Sequence, residues 1–182
     1  MKRKCTELLI NDHKVILRIL DVLITIAEDS ERNSQLNKAD VFGILEVLRL
    51  FGDEYHQRKE ETALFPTFTS VCDHAEVEAI RHMIHEHDED RSLTEAMEDA
   101  VRRSSPDDFA MQARRLDEML RTHIFKEDKI LFELVNSSLS AADDEHIVAA
   151  FEAFDKAFKS PRHDRLLHRL QMLEWKYLRV AA

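Results

Sequence analysis

His56 and Glu60 are four residues apart, and so are His123 and Glu127. On a helix that spacing projects both side chains from one face. An imidazole and a carboxylate so placed can share a proton or grip a metal ion. Each pair sits in a decapeptide that occurs twice, HQRKEETALF from position 56 and HIFKEDKILF from position 123, with His, Lys, Glu, Leu and Phe in common. A single histidine precedes each copy. The order His, then His-x-x-x-Glu, therefore runs twice, as His13/His56/Glu60 and His87/His123/Glu127.

These six residues occupy steps where an apolar side chain would continue a buried stripe. His13 follows Leu9, His56 and Glu60 follow Gly52, His87 follows Met83, and His123 and Glu127 follow Leu120. An unpaired buried carboxylate costs several kcal/mol, against a total stability of about 5–15 kcal/mol. Two glutamates in one core need compensation, and a divalent cation held by carboxylates and neutral imidazoles supplies it well. If each of two metals takes two histidines and one oxygen from each bridging glutamate, each has four protein bonds. Iron or manganese would have room for a bridging oxygen and an exogenous ligand, and a donor set without thiolate suits iron, with manganese or zinc as alternatives.

The elements that must position these groups are long amphipathic helices. The first carries Leu9, Ile16, Leu20, Leu23 and Ala27, and the polar stretch EDSERNSQLN ends it. Asn37 or Asp40 caps the second, which runs through Val41, Leu45, Leu48 and Gly52 towards Ala63, with Pro66 near its end. Asp73 with Glu76 reads as a capping box opening the third, with Ile80, Met83, Met97 and Val101. Ser105-Pro106-Asp107-Asp108 starts the fourth, with Phe109, Ala113, Leu116, Leu120, Ile130 and Leu134 on its stripe. The fold class expected is all-α: an antiparallel up-down-up-down four-helix bundle over residues 1–138. Residues 139–182 add two helices, opened at Ser140-x-x-Asp143 and Ser160-Pro161, that pack on the bundle or form a homodimer contact.

Composition agrees. Only two Gly and three Pro in 182 residues leave few tight turns. A net charge of −10 disfavours nucleic acid as a partner. No signal peptide or membrane span is read, and Cys5 and Cys72 suit a reducing cytoplasm rather than a disulfide framework. Lys59 and Lys126 are expected to snorkel outwards, and HEHDED to be a solvated face apart from His87. His74, His82, His85, His146, His163 and His168 are expected at the surface, and Leu64 and Leu131 to dry the metal pocket. No Gly-rich phosphate loop and no Ser or Cys nucleophile motif is present.

The stretches NDHKVILRIL, EYHQRKEETALFP, HEHDEDR and THIFKEDKILF, spanning about positions 10–135, resemble the hemerythrin-like HHE cation-binding family. The resemblance implies a four-helix bundle with a carboxylate-bridged, non-haem di-iron centre with an oxo or hydroxo bridge. By motif its ligands are His13, His56, Glu60, His87, His123 and Glu127. The family includes oxygen carriers, sensors of oxygen, nitric oxide or iron, and proteins implicated in iron–sulfur cluster repair. Oxygen carriers have a further His one turn before the third-helix ligand, where this chain has Met83, so Tyr55 beside His56 becomes a candidate phenolate ligand. Gly52 is expected to permit close helix approach or leave pocket space, opposite the bulkier Met119. The expected function is binding or reducing a small ligand (oxygen, nitric oxide or peroxide), with a non-enzymatic iron or oxygen sensor as the alternative.

Overall fold

The computed structural model describes residues 2–158 and 161–178, all helix and short connections. Helix α1 spans Lys4–Asn33 and α2 spans 38–69. Next come α3, His74–Arg102, and α4, 106–138, followed by α5, Ala141–Phe158, and α6, Pro161–Tyr177. The first four form a bundle in which α1 packs on α2 and α4, and α3 packs on α2 and α4. No described helix is long and apolar enough to cross a membrane.

Most helix ends follow the sequence signals. The Asn37 side chain accepts from the Asp40 amide, and Asp73 and Glu76 form both bonds of a capping box. Ser140 and Asp143 exchange backbone–side-chain hydrogen bonds in the same way at the start of α5. At α4, Pro106 takes the first turn but the Ser105 side chain makes no capping bond. The expected Ser160 start signal lies outside the described residues. Helix α1 continues to Asn33, six residues into the polar stretch expected to end it. Ser30 is buried with its hydroxyl returned to the Ile26 carbonyl, and the helix stops only where Ser34 adopts φ 49°.

Helices α2 and α4 do not keep the α period. Leu48–Gln57, Glu60–Leu64 and Glu127–Leu131 are π-helical, with one extra residue in the turn. At the last two, the amide of Phe65 bonds the Glu60 carbonyl and that of Phe132 bonds the Glu127 carbonyl. The wider turn rotates the residues beyond it about the helix axis. Leu131, Phe132 and Val135 are buried in α4, whereas Ile130 is exposed and Leu134 half-buried, a departure from the stripe expected of a regular helix.

Apolar side chains gather in two clusters. One contains Ile16, Leu20, Leu48, Leu93 and Leu120; the other contains Leu9, Leu64, Phe65, Met83, Leu131 and Phe132. His13, between Leu9 and Ile16, and His87, between Met83 and Leu93, place the polar residues between these clusters. Helices α5 and α6 complete them, with Ile147 and Phe151 in the second and Leu166, Leu170 and Leu173 in the first.

Arg3, before α1, makes no side-chain cap, and the first free amides are met from far along the chain. Asp144 of α5 accepts from the amides of Lys4 and Cys5 at 3.0 Å each, and Asn136 accepts from Arg3 at 2.7 Å. Replacing Asp144 by Ala is expected to lower unfolding free energy by about 1 kcal/mol, read by urea titration, with the exposed Glu145→Ala near zero.

Candidate metal centre

All six candidate ligands are buried: His87, Glu60 and Glu127 at 0 %, His13 at 1 %, His56 and His123 at 2 % exposure. Helix α1 supplies His13, α2 supplies His56 and Glu60, α3 supplies His87, and α4 supplies His123 and Glu127. They form two donor groups, His13/His56/Glu60/Glu127 and Glu60/His87/His123/Glu127. Within each group one donor atom per residue lies within 4.8 Å of all the others, and both glutamates belong to both groups.

The two halves match closely. His13 Nε2 is 3.1 Å from His56 Nε2, and His87 Nε2 is 3.1 Å from His123 Nε2. Glu60 Oε2 lies 3.5 Å from the Nε2 atoms of His56 and His87, and Glu127 Oε2 lies 3.2 Å from His13 and 3.3 Å from His123. None of the four oxygens of Glu60 and Glu127 has a hydrogen-bond partner among the described residues. Buried carboxylate oxygens are rarely left so. Orphaned oxygens facing converging imidazole nitrogens fit a pair of cations, and this thiolate-free set suits iron, manganese or zinc.

Each imidazole is backed by a carboxylate on a neighbouring helix, and three of the four are hydrogen-bonded to it. The Nδ1 atoms of His13, His87 and His123 face Asp128, Glu61 and Glu86, each at 2.8 Å. His56 Nδ1 is 3.6 Å from Asp12, an ion-pair distance without a hydrogen bond. The four contacts close a ring: α1 supports α2 through Asp12, α2 supports α3 through Glu61, α3 supports α4 through Glu86, and α4 supports α1 through Asp128. Such carboxylates orient metal-binding histidines and raise their basicity. Cations complete the arrangement, with Lys59 3.2 Å from Asp12, Arg91 2.7 Å from Glu61 and Lys126 paired with Glu86.

These partners were not singled out in the sequence, although their positions repeat. Asp12 and Glu86 immediately precede the lone histidines; Glu61 and Asp128 immediately follow the glutamates. In HEHDED, His85, Asp88 and Glu89 are exposed as expected, but Glu86 and Asp90 are buried along with His87. Lys59 does not snorkel: it is 3 % exposed, 3.4 Å from Asp155 of α5 and over the Tyr55 ring. The expected Tyr55 phenolate is engaged elsewhere, its hydroxyl donating to Asp155 at 2.6 Å. His163 is half-buried against Phe51, Tyr55 and Phe158, while the other five non-ligand histidines are exposed. Phe132 stacks on His13 and Phe65 on His87, giving the repeated Phe a contact of its own. Leu120, rather than Met119, lies over the centre beside Gly52.

Charge is distributed unevenly. Burial pushes the Glu60 carboxyl up, whereas for Glu127 the nearby His123 and His13 outweigh burial and hold it well below the usual range. Burial opposes charge on His13 and His123, but carboxylate partners overcome it and raise them to about 9 and about 10. Burial lowers His56 to about 4. One turn after His87, Asp90 is pushed up to about 6 by burial, against the hydrogen bond it accepts from Gln57.

A carboxyl whose pKa is higher folded than unfolded favours the fold below its unfolded pKa and penalises it as pH rises through the folded value. For Asp90 that window runs from 3.8 to about 6. Asp90→Asn is therefore expected to stabilise the metal-free chain by about 3 kcal/mol at pH 7.5, the gain fading towards pH 4.5. Urea unfolding with a chelator present measures both.

Residues 5–135 match the family model of the hemerythrin HHE cation binding domain. No curated protein and no solved structure matches the chain significantly. With the match covering well over half its length and spanning all six candidate ligands, the chain belongs to the hemerythrin HHE cation-binding family.

Proposed function

We propose that this chain is a cytoplasmic, non-haem di-iron protein that binds or reduces a small ligand such as oxygen, nitric oxide or peroxide. The observation that carries this reading is the sharing of Glu60 and Glu127 by two donor groups that are otherwise separate. His13 and His56 would hold one ion, His87 and His123 the other, with the two glutamates bridging. Bound there, iron supplies Lewis acidity and one-electron redox chemistry to an exogenous ligand. The surrounding residues orient and enclose. Asp128, Glu61 and Glu86 hold three imidazoles with Nε2 inward, while Leu64, Leu131, Phe65 and Phe132 keep water from one side of the donor layer.

The donor set gives Tyr55 no role as a ligand, and the visible spectrum of the loaded Tyr55→Phe protein is expected to equal that of the parent. A second reading, a non-enzymatic iron or oxygen sensor, draws support from Lys59. Its ammonium bridges Asp12, behind His56, to Asp155 of α5, so the centre is linked to the C-terminal helices. Rapid consumption of hydrogen peroxide or nitric oxide by the isolated protein favours the first reading; iron-dependent hydrogen exchange in α5 without turnover favours the second.

Both readings require the ions. Anaerobic loading is expected to give two iron ions per chain, and chelation to lower the melting temperature by about 10 °C, as a ligand at several hundred times its Kd would. His56→Ala should bind fewer than two ions and lose most of that stabilisation. A parent protein without bound iron, or with a melting temperature indifferent to chelation, would exclude the centre.

A further inference from the structure

A cavity of about 10 Å³, room for one water-sized molecule, lies against both halves of the donor set. His56 and His123 contribute to its wall, with Leu48, Gly52, Gln57 and Asp90. It is on the side away from Leu64 and Phe65. A Cβ at Gly52 would meet only Leu48 Cδ1, at 3.6 Å, so the missing side chain leaves this space free. A second cavity of about 150 Å³ shares Leu48 and Asp90 with the first and extends to the exposed Arg49 and Glu95. Asp90 thus lines both the cavity against the donors and the one that reaches exposed residues, and Gln57 lines the first.

That pair is chemically one-sided. Gln57 is 3 % exposed, and its amide nitrogen donates to Asp90 Oδ2 at 2.6 Å. Only this amide orientation sets a donor against a carboxylate. Gln57 Oε1 is therefore left buried with no partner. Among the described residues Asp90, also buried, is hydrogen-bonded only by the Gln57 amide and, at 3.4 Å, the Thr94 hydroxyl. The nearby Arg91 is engaged with Asp53, Glu61 and Asp88. An orphaned acceptor and a carboxylate face a space for one small molecule; among the described residues of its wall, the one ring nitrogen without a partner, His56 Nδ1, is turned to Asp12, 3.6 Å away.

We infer that Gln57 and Asp90 form the selective wall of the ligand site, favouring a small ligand that carries an O–H, of the hydrogen peroxide class, over one that offers only lone pairs. The inference rests on the di-iron reading above and narrows its ligand. A peroxide O–H donates to Gln57 Oε1 where water would otherwise stand. An anion without a proton, such as azide, meets the Asp90 charge and an acceptor with nothing to accept.

The test uses the iron-loaded full chain, with iron content measured for every variant. Azide affinity of the ferric protein is read from a spectrophotometric titration, and hydrogen peroxide consumption is followed separately. In Asp90→Asn, azide is expected to bind about tenfold tighter and peroxide consumption to fall about tenfold, roughly the effect of one hydrogen bond. Gln57→Leu should likewise tighten azide binding and slow peroxide consumption, and Gly52→Ala, filling the cavity, should weaken both. Opposite shifts for the two probes are not produced by a general loss of structure. If Gln57→Leu fails to fold, the isosteric Asp90→Asn still decides. Probes that move together, or not at all, in an Asp90→Asn protein retaining two iron ions would overturn the selective wall while leaving the centre intact. Absence of iron from the parent protein would overturn both.

Discussion

Two carboxylates enclosed in a helical core, each with both oxygens unmatched, are a larger electrostatic demand than a domain of this size can carry uncompensated. Glu60 and Glu127 impose it, and the neighbouring polar residues are arranged outward from them in layers of alternating character. Four imidazoles turn Nε2 inward; carboxylates stand behind the Nδ1 atoms; Lys59, Arg91 and Lys126 stand behind three of those carboxylates. Each layer is incomplete without the one inside it. The innermost place, between the Nε2 atoms and the glutamate oxygens, has the donor set to hold cations.

The ring of carboxylates ties this electrostatic order to the bundle. Asp12, Glu61, Glu86 and Asp128 each reach the histidine of the neighbouring helix, so no helix completes its own part of the site. The doubled decapeptide reflects that division of labour. In each copy, His and Glu face the centre and Lys pairs with the carboxylate behind that His. The residue after Glu, together with the Phe, supports the lone histidine of the next helix in the ring. The π turn at each Glu lets Leu and Phe, four and five residues on, both enter the core. One copy alone would leave one lone imidazole unsupported and one carboxylate unopposed.

The all-α class and the six inward-facing residues were legible because histidine and glutamate on an apolar stripe are conspicuous against their neighbours. The supporting residues were not, for a physical reason. Glu86 and Asp90 lie in a run of charges that resembles a solvated face, and only the proximity of Gln57, His123 and Lys126 from other helices makes their burial tolerable. Lys59 reads as a surface residue until α5 covers it with Asp155 and Phe151. Ile130 and Leu134 fall on the buried stripe of a 3.6-residue period that the π turn at Glu127 interrupts. Helix periodicity carries no sign of such a turn, although the duplication of Asp12/Glu86 and Glu61/Asp128 was visible in the letters themselves.

With the ligands duplicated, differences between the two halves must come from their surroundings. In the first half, His56 lacks a hydrogen bond at Nδ1, Lys59 is covered by α5, and Gly52 opens space beside Gln57. In the second, His123 is held at 2.8 Å by Glu86, which also reaches the exposed His82, and Leu120 fills the place opposite Gly52. The tighter half resists displacement of its imidazole. The looser half has the less firmly held imidazole and a link to the C-terminal helices, while the cavity beside Gly52 and Gln57 touches both halves through His56 and His123. The two donor groups thereby differ in their surroundings while each keeps two histidines and the same two glutamates.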